Sequence, residues 1–255
     1  MIKQLPNFLT LLNLLCGSLA CIFTITNSAI EYILILLLFS LIFDFFDGFV
    51  ARAVNASGSL GKELDSLADV ISFGLLPGIL MFNLLDGDVF LSTIKGLTTL
   101  DFNFNSFYFL IDSLFIKNAS IIGLIITLAS AYRLAKFNLD EDQTFYFKGL
   151  PTPANTLFIF SLYWLIHKNP ESFWSNTYLL IFISIFSSVI LVSNLPLFAL
   201  KFKNLKWNDN YLVFSYVICS ILLFIFFNLS SIPFLIILYI LLSILFRKKI
   251  ISNEP

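Results

Sequence analysis

Only 12% of this chain is charged and 58% is hydrophobic, so a cluster of acids in it is informative. The segment DFFDGFVARAVNASGSLGKELDSLAD, residues 44–69, carries Asp44, Asp47, Asp65 and Asp69. Asp44 and Asp47 are three apart, Asp65 and Asp69 four apart, and both spacings put a pair on one face of a helix. A short polar joint between the two helices makes them antiparallel neighbours whose acidic faces converge. Carboxylates gathered near a membrane repel one another and lose hydration. Arg52 and Lys62 offset part of that charge, but two basic groups cannot neutralise four acids and also pack their oxygens closely. Hard divalent cations, Mg²⁺ among them, favour such oxygen donors together with substrate phosphates. Two metals about 3.5–4 Å apart would form a clamp suited to phosphoryl chemistry. Helix capping accounts for Asp65 near a helix N-terminus. It does not account for Asp44 and Asp47 near a C-terminus, where the helix dipole disfavours acids.

The residues around the acids fit a phosphate ligand. Gly48 follows Asp47, and Gly61 lies four before Asp65. Missing side chains let a ligand or another backbone approach, although small residues also serve helix packing in membranes. With Ala51, Gly48 makes a small-residue floor beside the acids, and the Arg52 guanidinium can reach a phosphate.

These residues need helices to hold them, and a membrane around the helices. A span takes roughly 20 mostly apolar residues. By that rule eight helices are expected, near 6–26, 30–51, 63–85, 118–137, 153–168, 177–199, 210–227 and 230–247. The Phe-rich stretch 87–116 is interrupted by Asp, Lys, Gly and Asn, and reads as a long loop with room for an interfacial helix. The apolar start is long enough to span and has no small-residue cleavage pattern after it, so it reads as a retained helix. With the N-terminus inside and eight crossings, twelve Lys and Arg fall inside, and only Lys95, Lys117 and Lys168 outside. That asymmetry follows the positive-inside rule. Cys16, Cys21 and Cys219 sit in apolar stretches without metal-ligand spacing, and no basic run suggests a nucleic-acid partner.

The pattern Asp44-x2-Asp47-Gly48-x2-Ala51-Arg52-x8-Gly61-x3-Asp65-x3-Asp69 resembles in full the signature of the CDP-alcohol phosphotransferases. The resemblance implies an all-α membrane fold with a six-helix core (1–207 here), to which 208–255 adds two transmembrane helices. It also implies a homodimer, two divalent cations (Mg²⁺ or Mn²⁺), a CDP-linked lipid donor and release of CMP. The blocks LPNFLTLLNLLCGSLA, GKELDSLADVISFGLLPG, AYRLAKFNLDEDQ and FKGLPTPAN are similar to those of the serine-accepting members. Glycerophosphate-accepting members commonly carry an arginine near the position of Asn13. The expected partners are therefore CDP-diacylglycerol, L-serine and the lipid bilayer. The expected location is a bacterial inner membrane, with the site facing the cytoplasm.

On this resemblance Asp44, Asp47, Asp65 and Asp69 bind the metals, and Asp69 also acts as general base. Asn7, Thr10, Gly48, Ala51, Arg52 and Gly61 hold the CDP-lipid. Gly58, flanked by Ser57 and Ser59, stands where relatives often offer a hydroxyl. Arg133, Lys136 and Asn138 are candidates for the acceptor, although basic residues there also suit anchors to lipid headgroups. Pro151 and Pro153 shape the entry to the fifth helix, and His167 falls on the outer side, away from the chemistry. The same chemistry with glycerol 3-phosphate, choline or inositol phosphate stays open, as does an archaeal ether-lipid donor. A cation transporter is the alternative of another class, since acids within membranes also mark ion paths.

Overall fold

The computed structural model describes residues 4–56, 58–85, 119–139, 146–198 and 207–247. The Phe-rich stretch 87–116, expected as a loop, lies outside the described residues, as does Ser57.

The chain is helical throughout these residues apart from one short strand pair. The elements are α1 (Leu5–Ile25), α2 (Ile30–Ala53), α3 (Ser59–Asp69), a π-helical turn (Val70–Leu75), α4 (Leu76–Leu84), a 3₁₀ turn (Ala119–Leu124) and α5 (Ile125–Leu139). Then come β1 (Tyr146–Lys148), α6 (Thr152–Lys168), a 3₁₀ turn (Phe173–Ser175), α7 (Thr177–Val192) and β2 (Pro196–Phe198). Last are α8 (Trp207–Phe227), a 3₁₀ turn (Asn228–Ser231) and α9 (Ile232–Leu245).

Local chemistry sets the helix ends. Pro6, Pro153 and Pro233 each stand in the first turn of a helix, where the missing N–H costs nothing, while Pro77 follows the π-turn inside the continuous segment Ser59–Leu84. Asn27, Asn55 and Asn228, each at φ 50°, follow α1, α2 and α8, using the tolerance of asparagine for the left-handed region. Asn176 caps α7 by accepting from the Leu179 N–H at 3.2 Å.

Each of the eight expected helices has a counterpart, but two expectations need correction. The sixth was expected to run to 199 and stops at Val192. Pro196 has no N–H to continue a helix and biases the residue before it to extended backbone. The helix has already ended at Ser193, which is extended, and Pro196–Phe198 pairs antiparallel with β1, Tyr146 opposite Phe198 and Lys148 opposite Pro196. Gly149, at φ +75°, leads the chain from β1 across the end of α7, where its N–H donates to the Leu195 carbonyl at 2.9 Å. A Cβ there would crowd the carbonyls of Leu191, Ser193 and Ile190.

The second correction concerns the two acid-bearing helices. They were expected as antiparallel neighbours with converging acidic faces; the acids of α2 and α3 do meet, but each helix packs chiefly on α1, which forms the floor beneath them. Gly17 of α1 lets the π-turn come close, and a side chain at 17 would run into Ser72.

Among the described residues, five helical segments are long and apolar enough to cross a membrane: Leu5–Ile25, Ile30–Ala53, Ser59–Leu84, Ala119–Leu139 and Val213–Leu245; Thr177–Val192 is shorter and apolar. Large apolar side chains face outward along them, among them Phe8, Leu15, Phe45, Phe49, Phe182 and Ile225. Such a continuous apolar exterior marks an integral membrane protein. Inside, Phe73, Leu76, Leu80, Ile126, Ile159, Phe160 and Leu191 are fully buried around α4 and α6. Lipid is as apolar as leucine, so this core holds by close van der Waals fit and interhelical hydrogen bonds more than by exclusion of water.

Candidate active site

Asp44 and Asp47 project from α2, Asp65 and Asp69 from α3. One carboxylate oxygen from each of Asp44, Asp47 and Asp65 lies within 4.8 Å of the others. Asp69 stands one helical turn after Asp65 on the same face of α3, and its Oδ1 accepts from Asn13 Nδ2 of α1 at 3.3 Å. Asp47 is buried, and its Oδ2 accepts from the Thr10 hydroxyl of α1 at 2.6 Å. Asp65 Oδ1 is buried with no hydrogen-bond partner. An orphaned carboxylate oxygen among other carboxylates is costly without a cation. These donors fit a hard divalent ion, which takes oxygen ligands.

A cavity of about 220 Å³ opens beside the acids. Its walls bring together Asn7 and Thr10 of α1, Asp47, Gly48, Ala51 and Arg52 of α2, and Gly61, Lys62 and Asp65 of α3, with Gly58 at the joint. Every residue expected to hold the CDP-lipid therefore lines one space. The Thr10 hydroxyl, however, is committed to Asp47 and the Pro6 carbonyl (3.1 Å).

The three acceptor candidates do not converge. Arg133 is buried, its guanidinium 5.9 Å from the centre of the Phe137 ring and its Nε without a hydrogen-bond partner among the described residues. Lys136 donates to Asn194 Oδ1 at 2.7 Å, beyond the end of α7. Asn138 donates to the Ser66 hydroxyl at 2.8 Å and accepts from Lys62 through its carbonyl at 2.7 Å, tying α5 to α3. Arg133 and Lys136 share a pocket of about 10 Å³ with Lys148 and Ser193, two residues that spacing alone did not single out. A space that small holds about one water.

Sequence reasoning also passed over Ser40 and Ser72, and it assigned no role to Asn13, which donates to Asp69 at 3.3 Å. The available signal was a polar side chain inside an apolar helix, three residues from Thr10 and hence on its face.

A helical membrane protein with clustered aspartates beside a glycine-floored cavity defines a class of phosphate-handling membrane proteins. Residues 3–193 match the family model for CDP-alcohol phosphatidyltransferase, so the chain belongs to that family, whose members serve phospholipid biosynthesis. It is 31% identical over 151 residues to the CDP-diacylglycerol–serine O-phosphatidyltransferase of Bacillus subtilis, covering 59% of this chain and 70% of that protein. It is 30% identical over 167 residues to the protein of the same name from Methanocaldococcus jannaschii, covering 66% and 64%. To the archaetidylserine synthase of Methanothermobacter thermautotrophicus it is 31% identical over 161 residues, covering 62% and 57%. The chain thus spans somewhat under two thirds of the length of the two archaeal relatives.

Proposed function

We propose that this protein transfers a phosphatidyl group from CDP-diacylglycerol to L-serine, giving phosphatidylserine and CMP. The observation that carries the reading is the set of three carboxylates within 4.8 Å, one with an orphaned oxygen, opening on a cavity floored by Gly48, Ala51 and Gly61. Serine is the acceptor common to the names of the relatives above, while the lipid part differs between them.

Asp44, Asp47, Asp65 and Asp69 would hold two divalent cations, Mg²⁺ or Mn²⁺. When bound, these would balance the donor pyrophosphate and the charge that builds on the leaving CMP. Asn7, Gly48, Ala51 and Gly61 shape the space for the cytidine diphosphate, and Arg52 contacts phosphate. Thr10 holds Asp47 in place. Asp69 takes the proton from the serine hydroxyl as that oxygen bonds to the lipid-linked phosphorus, and the bond from phosphorus to the CMP oxygen breaks. Positioning and electrostatics supply most of the rate. The small space beside Arg133 would widen when the acceptor binds, so that Arg133 receives the serine carboxylate while Lys136 and Asn138 brace the end of α5.

The reading includes eight crossings, an N-terminus and active site on the cytoplasmic side of a bacterial inner membrane, and a homodimer. It treats 1–207 as the catalytic unit and 208–255 as a membrane extension. The test is an acceptor panel with purified protein, CDP-diacylglycerol and Mn²⁺, read by CMP release and by the lipid formed. Serine is expected to support turnover. Turnover with glycerol 3-phosphate and none with serine would overturn the acceptor and leave the chemistry.

A further inference from the structure

Asn13 lies one turn along α1 from Thr10 and is fully buried. A buried amide in an apolar helix is costly unless its polar ends are satisfied. Its Nδ2 donates to Asp69 Oδ1 at 3.3 Å, and its Oδ1 accepts from the hydroxyl of Ser40 on α2, itself fully buried. Its backbone carbonyl accepts from the Ser72 hydroxyl at 3.1 Å, inside the π-turn that follows Asp69. One residue thus ties α1 to α2, to the π-turn and to a carboxylate of the site.

The Asp69 carboxylate can only accept, so the amide nitrogen faces it, and the amide oxygen is left to accept from the Ser40 hydroxyl. With Oδ1 of Asp69 held by Asn13, the plane of the carboxylate is set, and with it the directions of its remaining lone pairs. The π-turn is itself held from two further helices. Thr127 of α5 donates to the Gly74 carbonyl at 3.1 Å, and Thr156 of α6 to the Phe73 carbonyl at 3.0 Å.

We propose that Asn13, oriented by Ser40, is a positioning residue that fixes the Asp69 carboxylate for proton abstraction from the acceptor hydroxyl. The inference rests on Asp69 being the general base. Asn13→Leu keeps the branched heavy-atom outline, with bulkier methyl groups, and removes both side-chain bonds. Its kcat for CMP release should fall about 100-fold, the scale on which small misplacements of a reacting group are felt. The KM for CDP-diacylglycerol should stay within about threefold, since donor binding is untouched. Asp69 is also a proposed metal ligand, so half-saturating Mn²⁺ is expected to rise up to about tenfold, and kcat is read at saturating Mn²⁺. Wild-type kcat at saturating Mn²⁺ in Asn13→Leu would overturn the proposal. So would a loss of turnover that follows a parallel loss of thermal stability, which would make the residue merely structural. Where Asn13→Leu does not fold, Ser40→Ala decides: kcat roughly tenfold lower at unchanged KM supports the proposal, and unchanged kcat overturns it. Asp69→Asn is measured beside them. If it turns over normally, the base assignment fails; if it is inactive while the Asn13 and Ser40 variants run at full rate, only the positioning role fails. The comparison uses whichever alcohol the acceptor panel finds active, so it survives a wrong acceptor.

Discussion

Thr10 and Asp47 show at the scale of single residues how an acid proposed to bind metal is held in place. The hydroxyl reaches Asp47 Oδ2 at 2.6 Å from a different helix and so sets the direction of the other oxygen. Outer contacts of this kind typically govern affinity by 10–100-fold. Thr10→Val, which keeps the shape and drops the hydroxyl, should raise the half-saturating Mn²⁺ for CMP release roughly tenfold. Thr10→Ser should stay near wild type. Asp69→Asn should lower turnover about 10²–10⁴-fold, the range of general-base catalysis. Chelation with EDTA should remove activity that Mg²⁺ or Mn²⁺ then restores. The acids and the glycine floor were legible because helical period fixes which residues share a face. What lies opposite a face is not encoded in that period. Asn138 therefore read as an acceptor contact, and the structure has it bonded to Ser66. Ser40 went unread because an isolated serine in an apolar helix usually bonds its own backbone, as Ser184 does with the Leu180 carbonyl at 2.8 Å.

At the scale of elements, composition told where helices begin and end wherever proline or asparagine does the work. It failed at α7, where the apolar run continues past Val192 but Pro196 and the pairing with β1 end the helix. Strand pairing depends on a partner about fifty positions away, and no local period carries that information. Gly149 anchors this crossing with its positive φ. Gly149→Ala should destabilise the protein by about 1–3 kcal/mol, the cost of holding a side chain in that region. A thermal melt in detergent checks it. Gly58→Ala is the control, because a Cβ at 58 meets nothing within 4 Å.

At the scale of the whole molecule, hydropathy fixes the surrounding solvent but not the number of crossings. Val213–Leu245 is a continuous apolar stretch of 33 residues, yet the chain breaks inside it at Asn228, where φ is 50°. The aromatic cluster of Phe198, Tyr216 and Tyr239, with the Tyr239 hydroxyl on the Phe198 carbonyl at 2.8 Å, joins this last part to the rest. The inside-outside charge asymmetry gives a prediction of its own. In a background lacking Cys16, Cys21 and Cys219, a membrane-impermeant maleimide applied to intact cells should label Lys168→Cys. It should label Lys3→Cys only after permeabilisation. The reverse pattern would place the acids on the opposite side of the membrane.

The π-helical turn at Val70–Leu75 carries one residue more than an α-helical path would need. Each α-helical residue advances the rotation by about 100°. The wide turn absorbs that surplus, so the acids of α3 and the packing face of α4 keep the alignment of a rod one residue shorter. Rewinding the same residues as plain α-helix would swing Asp65 and Asp69 by about 100° relative to α4, off the site, with the helix otherwise intact.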